Sequence, residues 1–475
     1  MLMRIGGKDT VDVDGGWIDV KNPATGMLID RVPSGTPDDV AHAVEAADAA
    51  SGGWKKKSMR ERGMILFHAA GRVREQHTDI AKILTMEQGK PLKEAIDEVR
   101  GFASILEFYA GISAHSTGEA IRLGSADCMV VHEPIGICGA ISPWNMPVII
   151  MGWKIGPALL AGNTMLLKPA STTPLSSLKL AAILDKAGLP PGVLNVVTGS
   201  GESVGEAIVR HPLIKKVSFT GDCTTGEKIR RLASGQLKDL TLELGGSDPM
   251  IVMDDAEIDK AVEGALRGRF YNAGQTCTAV KRLYVHEKIS KIFVKKLRVR
   301  VDALKAGNGL EPGIDLGPMN SAGQRERIAG IVNEITDKDE GKILTGGCSL
   351  TGPSYDAGYF YRPTLISDVS PGARLLTDEI FGPVLPVVSV PDLDTAIKEA
   401  NRSRYGLGAS VWTTNLATTK RLFDEVHAGI IWVNRHLTVP PEIPFGGMNE
   451  SGIGRENGSH ALESYSRTKT LFLGW

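Results

Sequence analysis

The stretch "NTMLLKPASTTPLSSLKLAAILDKAGLPPGVLNVVTG" occupies residues 163–199. Within it, the short apolar run "NTMLLK" is followed by the helical pattern "PLSSLKLAAILDKAG", and then by a second apolar run, "GVLNVVTG". Short apolar runs alternating with helices indicate βαβ units, and hence a parallel sheet with helices on its faces. The pattern continues outward. "ESVGEAIVRH" follows the second run, "KKVSFTG" leads into "TTGEKIRRLAS", and "LTLELGG" and "PMIVM" lead into "IDKAVEGALRGRF".

A second alternating series runs from "VKRLYVH" to "AGIIWVN" and includes "PVLPVVSV" followed by "DLDTAIKEANRSRYG". Two α/β domains are therefore expected, with a boundary near "ELGGSDP". Toward the N-terminus, residues 36–115 read as helices. Val40, Ala43, Val44 and Ala47 fall at i, i+3, i+4, i+7, which marks one buried face. Residues 125–142 read as strands. The tail "SYSRTKTLFLGW" reads as a strand that needs a partner sheet, in this subunit or another.

With 475 residues, 42% hydrophobic and 23% charged, the chain has the composition of a soluble globular protein of two or three domains. A net charge of −1 leaves no basic footprint for nucleic acid or an acidic membrane surface. No secretory signal is visible in "MLMRIGGKDTVDVDGG". The apolar stretch at 134–167 is long enough to span a bilayer. However, Pro134, Pro143, Pro147 and Pro157 interrupt it, and Asn145, Lys154 and Asn163 lie inside it, so a buried strand–loop–helix–strand unit is expected. The five cysteines, at 128, 138, 223, 277 and 348, show no metal spacing, so no metal site is expected. Reduced thiols and a cytoplasmic location are the expectation.

Two of those cysteines compete for a chemical role. Cys277 closes "NAGQTC", a turn of small and polar residues that would admit a substrate. Cys223 begins a helix in "TGDCTTGEKI", where the helix dipole can lower a thiol pKa. Cys138, in the apolar "GICGA", reads as a small core residue. Glu243 in "LELGG" ends a strand, where open α/β sheets bind ligands; the bland alternative is a solvated strand end. Asn145 in "PWNMP" is an amide between prolines, suited to an oxyanion hole or simply to a turn. "GSGESVG" (199–205) and "TGDCTTG" (220–226) each place glycines between a strand and a helix, as phosphate loops do, but neither is a full dinucleotide or P-loop fingerprint. Lys168 in "LLKPAS" reads as a phosphate or ribose partner or as a surface lysine.

Taken together and in order, "SPWNMP", "GPALLAGN", "LLKPAS", "GLPPGVLNVVTG", "FTGD", "LELGG", "NAGQTC", "EIFGPV", "VN" and "PFGGMNESGIGRE" resemble the NAD(P)-dependent aldehyde dehydrogenase superfamily along nearly the whole chain. The resemblance implies two parallel-sheet α/β domains, one Rossmann-like and one catalytic, with a small β extension for oligomerisation. It divides the chain into a dinucleotide-binding domain (1–116 and 136–244), a catalytic domain (245–445) and oligomerisation strands (117–135 and 462–475). It implies Cys277 as nucleophile, Asn145 with the Cys277 backbone N–H as oxyanion hole, and Glu243 as the base that activates water. Lys168 and Glu379 would hold ribose hydroxyls, and Phe381 would pack beside the nicotinamide. Trp144, Thr220 and Gly221 would line the cofactor cleft, and Gly201 and Gly205 would form the dinucleotide-side loop. A homodimer or homotetramer acting on a small aldehyde is expected, with no nucleic-acid or membrane partner.

Three positions depart from the family pattern. Ser171 stands where NAD-specific members often carry the Glu that binds the adenosine 2′-OH, so NADP is expected to be preferred over NAD. Asp222 replaces the usual Ser, and Asn449 replaces a common Lys. For the substrate, Trp153 and Tyr271 stand where succinate-semialdehyde members usually carry arginines. With Phe445 they imply an aromatic-walled pocket for a small hydroxy- or semialdehyde. "CTAVKR" resembles non-phosphorylating glyceraldehyde-3-phosphate dehydrogenases, and Arg269, Arg435 and His436 are candidate cations for an anionic substrate. Glu243 argues against transfer of the thioester to coenzyme A. An inactive structural or binding homologue and a cysteine hydrolase are the readings from other classes.

Overall fold

A computed structural model describes residues 1–11, 16–115 and 118–474. Positions 12–15, 116, 117 and 475, which the expected domains and oligomerisation strands include, lie outside the described residues.

Two α/β sheets organise the chain. In the first, Leu194–Val196, Thr164–Lys168, Ile137–Ile141, Ile214–Thr220 and Asp239–Glu243 lie side by side and parallel. Met3–Ile5 and Gly452–Ile453 flank this block antiparallel, and Lys8–Thr10 completes the eight-stranded sheet. Strand order reverses at Ile137–Ile141: the chain moves outward through Thr164–Lys168 to Leu194–Val196, then restarts on the other side at Ile214–Thr220. Such a switch point opens a crevice at the carboxyl ends of the strands, where ligands bind. Asn145, Lys168, Thr220 and Glu243 all lie at or just beyond those ends.

After Leu244–Ser247 the chain enters a seven-stranded sheet. Its order is Lys342–Thr345, Thr364–Ser367, Val384–Val390, Val280–His286, Asp248–Val252, Gly408–Trp412 and Ile430–Val433, with only the first strand antiparallel. The N-terminal helices begin with Pro37–Lys56, started by a Thr36–Asp39 capping box. The expected face of Val40, Ala43, Val44 and Ala47 is buried in that helix. The long apolar stretch folds as expected into a strand, a loop, the buried helix Pro147–Ala161 and a second strand. Among the described residues no helix is long and apolar enough to cross a membrane.

Ser466–Gly474 pairs along its whole length with Ala126–Pro134, which also pairs with Gly118–Leu123. This small sheet exposes Ile121, Leu123, Met129, Val131, Leu471 and Phe472.

Candidate active site

The nucleophile turn is built from left-handed backbone. Asn272, Ala273 and Gly274 have φ of 52°, 54° and 72° in succession. Asn and Gly tolerate this region; a non-glycine residue such as Ala273 is strained there, by about 1–2 kcal/mol. A Cβ at Gly274 would collide with the Gly382 carbonyl, so only glycine fits. Hydrogen bonds hold the strain. Asn272 Nδ2 donates to the Asn145 carbonyl at 2.9 Å, Gln275 Nε2 donates to the Asn272 carbonyl at 3.0 Å, and Asn320 N donates to Gln275 Oε1 at 2.9 Å. The Cys277 thiol emerges partly exposed. Its apolar surroundings push its pKa up to about 12, against the pull of nearby Lys281.

Asn145 meets this turn directly: its side-chain Nδ2 donates to the Gln275 carbonyl at 3.0 Å. An amide carries two N–H groups, so a second remains to face a substrate oxygen. Glu243 closes the third side. The glycine three positions on, Gly246, packs so tightly that a Cβ there would lie 2.7 Å from the Cys277 carbonyl oxygen. Glu243 is 2% exposed, and neither carboxylate oxygen has a hydrogen-bond partner. Burial, then the neighbouring Glu456, raise its pKa well above the ordinary carboxylate value; Lys154 and Arg455 oppose them.

Lys154, Glu456 and Lys281 were missed as site residues in the sequence. The Lys154 ammonium donates to Glu456 Oε1 at 2.6 Å, to Ser218 Oγ at 2.9 Å and to Thr220 Oγ at 2.8 Å. Glu456 Oε2 has no partner. Lys281 donates to the Thr276 carbonyl at 3.0 Å and to that of Cys277. It also pairs with Glu379 at 3.4 Å and sits 5.8 Å from the Phe381 ring centroid. One ammonium thus ties the nucleophile turn to "EIFGPV". The signal was available in "CTAVKR", where a lysine stands four residues after the thiol.

On the sheet side, Glu379 Oε1 accepts from Gly246 N at 3.1 Å, and a Cβ on Gly245 would collide with its carboxylate. Trp144 meets Phe381 edge-on at 5.5 Å. Lys168 is 4% exposed; its Nζ donates to the Pro169 carbonyl at 3.0 Å, and burial lowers its pKa to about 8. Gly205 lies beside it, a Cβ there coming 3.8 Å from Lys168 Cδ, and a Cβ at Gly201 would meet nothing. Ser171 Oγ donates to the Gly199 carbonyl at 3.0 Å. Gly221 N donates to the Glu243 carbonyl at 3.0 Å, which places the Thr220–Gly221 turn at the same strand end. A buried lysine with spare donors beside open glycine backbone, and a carboxylate over two glycines, suit the phosphates and ribose hydroxyls of a dinucleotide. Asp222 caps the helix Cys223–Ala233 by accepting from Thr225 N at 2.9 Å. Burial raises the Cys223 thiol pKa, and its Sγ lies 3.4 Å from the Glu450 carbonyl.

Two of the three expected substrate cations are engaged elsewhere. Arg269 is fully buried and donates to the carbonyls of Val280, Ile380 and Gly382. His436 lies between Ser410 Oγ at 2.9 Å and the Thr278 carbonyl at 2.7 Å, and burial lowers its pKa to about 4, leaving it neutral. Arg435 is exposed. Arg269 and His436 brace the seven-stranded sheet. Of the three expected aromatic residues, Trp153 and Phe445 pack at 4.7 Å, and the Trp153 indole nitrogen is buried without a partner. Tyr271 borders a cavity of about 660 Å³ also lined by Asp97, Arg100 and Arg267. Asn449 is in left-handed backbone at φ 53°, which accounts structurally for an Asn there.

Comparison with known proteins agrees with this geometry. Residues 11–471 match the aldehyde dehydrogenase family. The chain is 40% identical over 473 residues to a betaine aldehyde dehydrogenase of Rhizobium etli, covering 99% of this chain and 96% of the relative. It is 40% identical over 485 residues to a phenylacetaldehyde dehydrogenase of Pseudomonas fluorescens, covering 100% and 96%. An NADP-dependent enzyme of E. coli superposes with a TM-score of 0.97 at 36% identity, covering 100% of this chain and 98% of that one. Since the match spans both sheets and the crevice at their strand ends, the chain belongs to the aldehyde dehydrogenase family of NAD(P)-dependent oxidoreductases.

Proposed function

We propose that the enzyme oxidises a small hydroxy- or semialdehyde to its carboxylic acid, through a thioester released by water. The observation that carries this reading is the meeting of Cys277, Asn145 and an unpartnered Glu243 carboxylate at one crevice. The Cys277 thiol loses its proton, with Glu243 the candidate base, and its sulfur adds to the aldehyde carbon. The resulting oxyanion takes N–H donors from Asn145 and the Cys277 backbone, each worth about 3–4 kcal/mol in such sites. Nicotinamide, when bound, supplies the hydride acceptor, and Cys277 is left as a thioester. Glu243 then takes a proton from water as the water oxygen attacks the acyl carbon. The carbon–sulfur bond breaks and the acid departs.

The unpartnered Trp153 indole N–H supports a substrate carrying an oxygen acceptor near the reacting carbon. With Arg269 and His436 engaged elsewhere, the phosphate- and carboxylate-binding alternatives lose two supporting side chains. A second reading, an aldehyde like those of the betaine aldehyde and phenylacetaldehyde relatives, draws on the same aromatic wall. NADP preference rests on Ser171 and on the spare donors of Lys168. The test is an aldehyde panel run with NAD and with NADP, on wild type and Cys277→Ala. Reduction of neither cofactor, or equal turnover in the variant, refutes the reading.

The exposed apolar face of the small sheet supports a dimer or tetramer in which a second copy covers it. Leu471→Asp with Phe472→Asp is expected to shift the sedimentation coefficient toward the monomer. A wild type that sediments as a monomer at micromolar concentration contradicts this assembly.

A further inference from the structure

The stretch "EQGKPLKEAIDEVRG" (87–101) takes no part in the mechanism above, yet it buries four charged side chains. Glu87, Lys90, Glu94 and Glu98 are each at most 5% exposed. Three of them reach the site. The Lys90 ammonium pairs with Glu98, donates to the Asn145 carbonyl at 2.8 Å and lies 3.1 Å from Met146 Sδ. Glu98 Oε1 accepts from Val148 N at 2.8 Å and Ile149 N at 3.2 Å, in the first turn of the helix that follows Asn145. Glu94 accepts from Asn272 N at 2.9 Å, in the nucleophile turn.

The Asn145 carbonyl therefore receives two buried donors, the Lys90 ammonium and Asn272 Nδ2. A backbone carbonyl held from two sides fixes the peptide plane, and with it the direction in which the same residue's side chain leaves the chain. Met146, which starts the helix, provides no side-chain cap, and Glu98 supplies that function from another helix.

We propose that Lys90, braced by Glu98, is a positioning residue for the oxyanion hole: it holds the Asn145 backbone so that the side-chain amide points at the developing oxyanion. This rests on the oxyanion role proposed above for Asn145. Neither Lys90 nor Glu98 touches the reacting atoms, so the effect is on geometry. Misplacement of a catalytic group by about 1 Å can cost on the order of 100-fold in rate.

The test uses the full-length enzyme and two readouts that need no nicotinamide. The p-nitrophenolate burst from p-nitrophenyl acetate reports acylation of Cys277 through a tetrahedral oxyanion. Alkylation by iodoacetamide reports the thiol without one. Lys90→Met leaves a buried carboxylate unpaired and can fail to fold. The double variant Lys90→Met/Glu98→Gln removes that unpaired carboxylate, and the glutamine oxygen can still cap the helix. We expect the double variant to lose about 10-fold or more of the burst rate. Alkylation should stay within about twofold of wild type, and aldehyde kcat should fall while KM holds. Lys90→Arg, which keeps charge and donors, should recover part of the burst. An equal fall in burst and alkylation would mark a merely structural role and overturn the proposal, as would an unchanged burst. Asn145→Ala serves as reference. If it keeps the wild-type burst, the oxyanion assignment itself fails; if it loses the burst while the double variant keeps it, only the Lys90 role fails.

Discussion

Two buried lysine–glutamate pairs bear on the helix Pro147–Ala161, one at its N-terminus and one from within it, and they are built to opposite specifications. In Lys90–Glu98 both carboxylate oxygens have partners, and the ammonium reaches a carboxylate, a carbonyl and a sulfur. In Lys154–Glu456 the ammonium is equally saturated, but Glu456 Oε2 and both oxygens of the nearby Glu243 have none. A saturated ion pair in a low dielectric resists rearrangement. A buried carboxylate without hydrogen-bond partners, such as Glu243, holds its proton tightly. The first pair therefore suits holding geometry and the second suits moving protons, although the residue types are the same.

Replacing the reactive member of the unsaturated cluster should have the largest effect. Glu243→Gln keeps the shape and removes the base, so steady-state turnover should fall by about 100- to 10,000-fold. Mass spectrometry after brief aldehyde exposure should then show an acyl adduct on Cys277. Near-normal turnover would remove the functional half of the contrast.

The same contrast extends to the expected cofactor side, where Lys168 donates to the Pro169 carbonyl and retains donors, while Ser171 Oγ is already engaged with Gly199. Ser171→Glu would add a carboxylate that repels a 2′-phosphate. The kcat/KM ratio should move toward NAD by about 10-fold, equivalent to about 1.4 kcal/mol. An unchanged ratio, or a wild type already strongly favouring NAD, refutes the role given to Ser171.

A subtler effect lies in pH. As the proposed base, Glu243 would work only when ionised, and burial with Glu456 holds it protonated well above the usual carboxylate range. Deacylation should therefore rise with pH through that elevated value. Glu456→Gln removes a negative charge, eases ionisation and should move the rising limb to lower pH in single-turnover profiles. A limb that stays put or moves upward would uncouple the two carboxylates. The smallest effect is expected outside the cluster: Cys223→Ala should leave aldehyde turnover within about twofold, as expected for a surface-type change.

The alternation of apolar runs and helices was legible because periodicity reflects burial along one element. Cys277, Asn145 and Glu243 stand out through motif resemblance. The buried charges do not. "KPLKEAIDEVRG" has the composition of a solvated helix, and nothing local shows that other elements enclose it. Lys154 was noticed only as an interruption in an apolar run, since its partner Glu456 lies 302 positions away. Arg269 and His436 looked available for a substrate because their partners are backbone carbonyls and a serine in other elements, which no side-chain pattern records.

The strand Gly452–Ile453 returns to pair beside Glu243, and a Cβ on Gly446 would approach Glu243 Oε1 to 2.7 Å. This gives the active site a place in time. A ribosome has delivered Asn145, Glu243 and Cys277 well before it delivers Gly446 and Glu456. At about 5–20 residues per second, Glu243 waits roughly 10–40 s for the partner that sets its protonation. Over that interval the nascent chain carries the thiol and the amide without the finished proton-handling cluster. Aldehyde turnover is therefore expected to be switched on by arrival of the segment 446–456, not by formation of the parallel strands of the eight-stranded sheet. A ribosome-bound chain stalled with residues 1–440 exposed should alkylate at Cys277 but fail to turn over aldehyde.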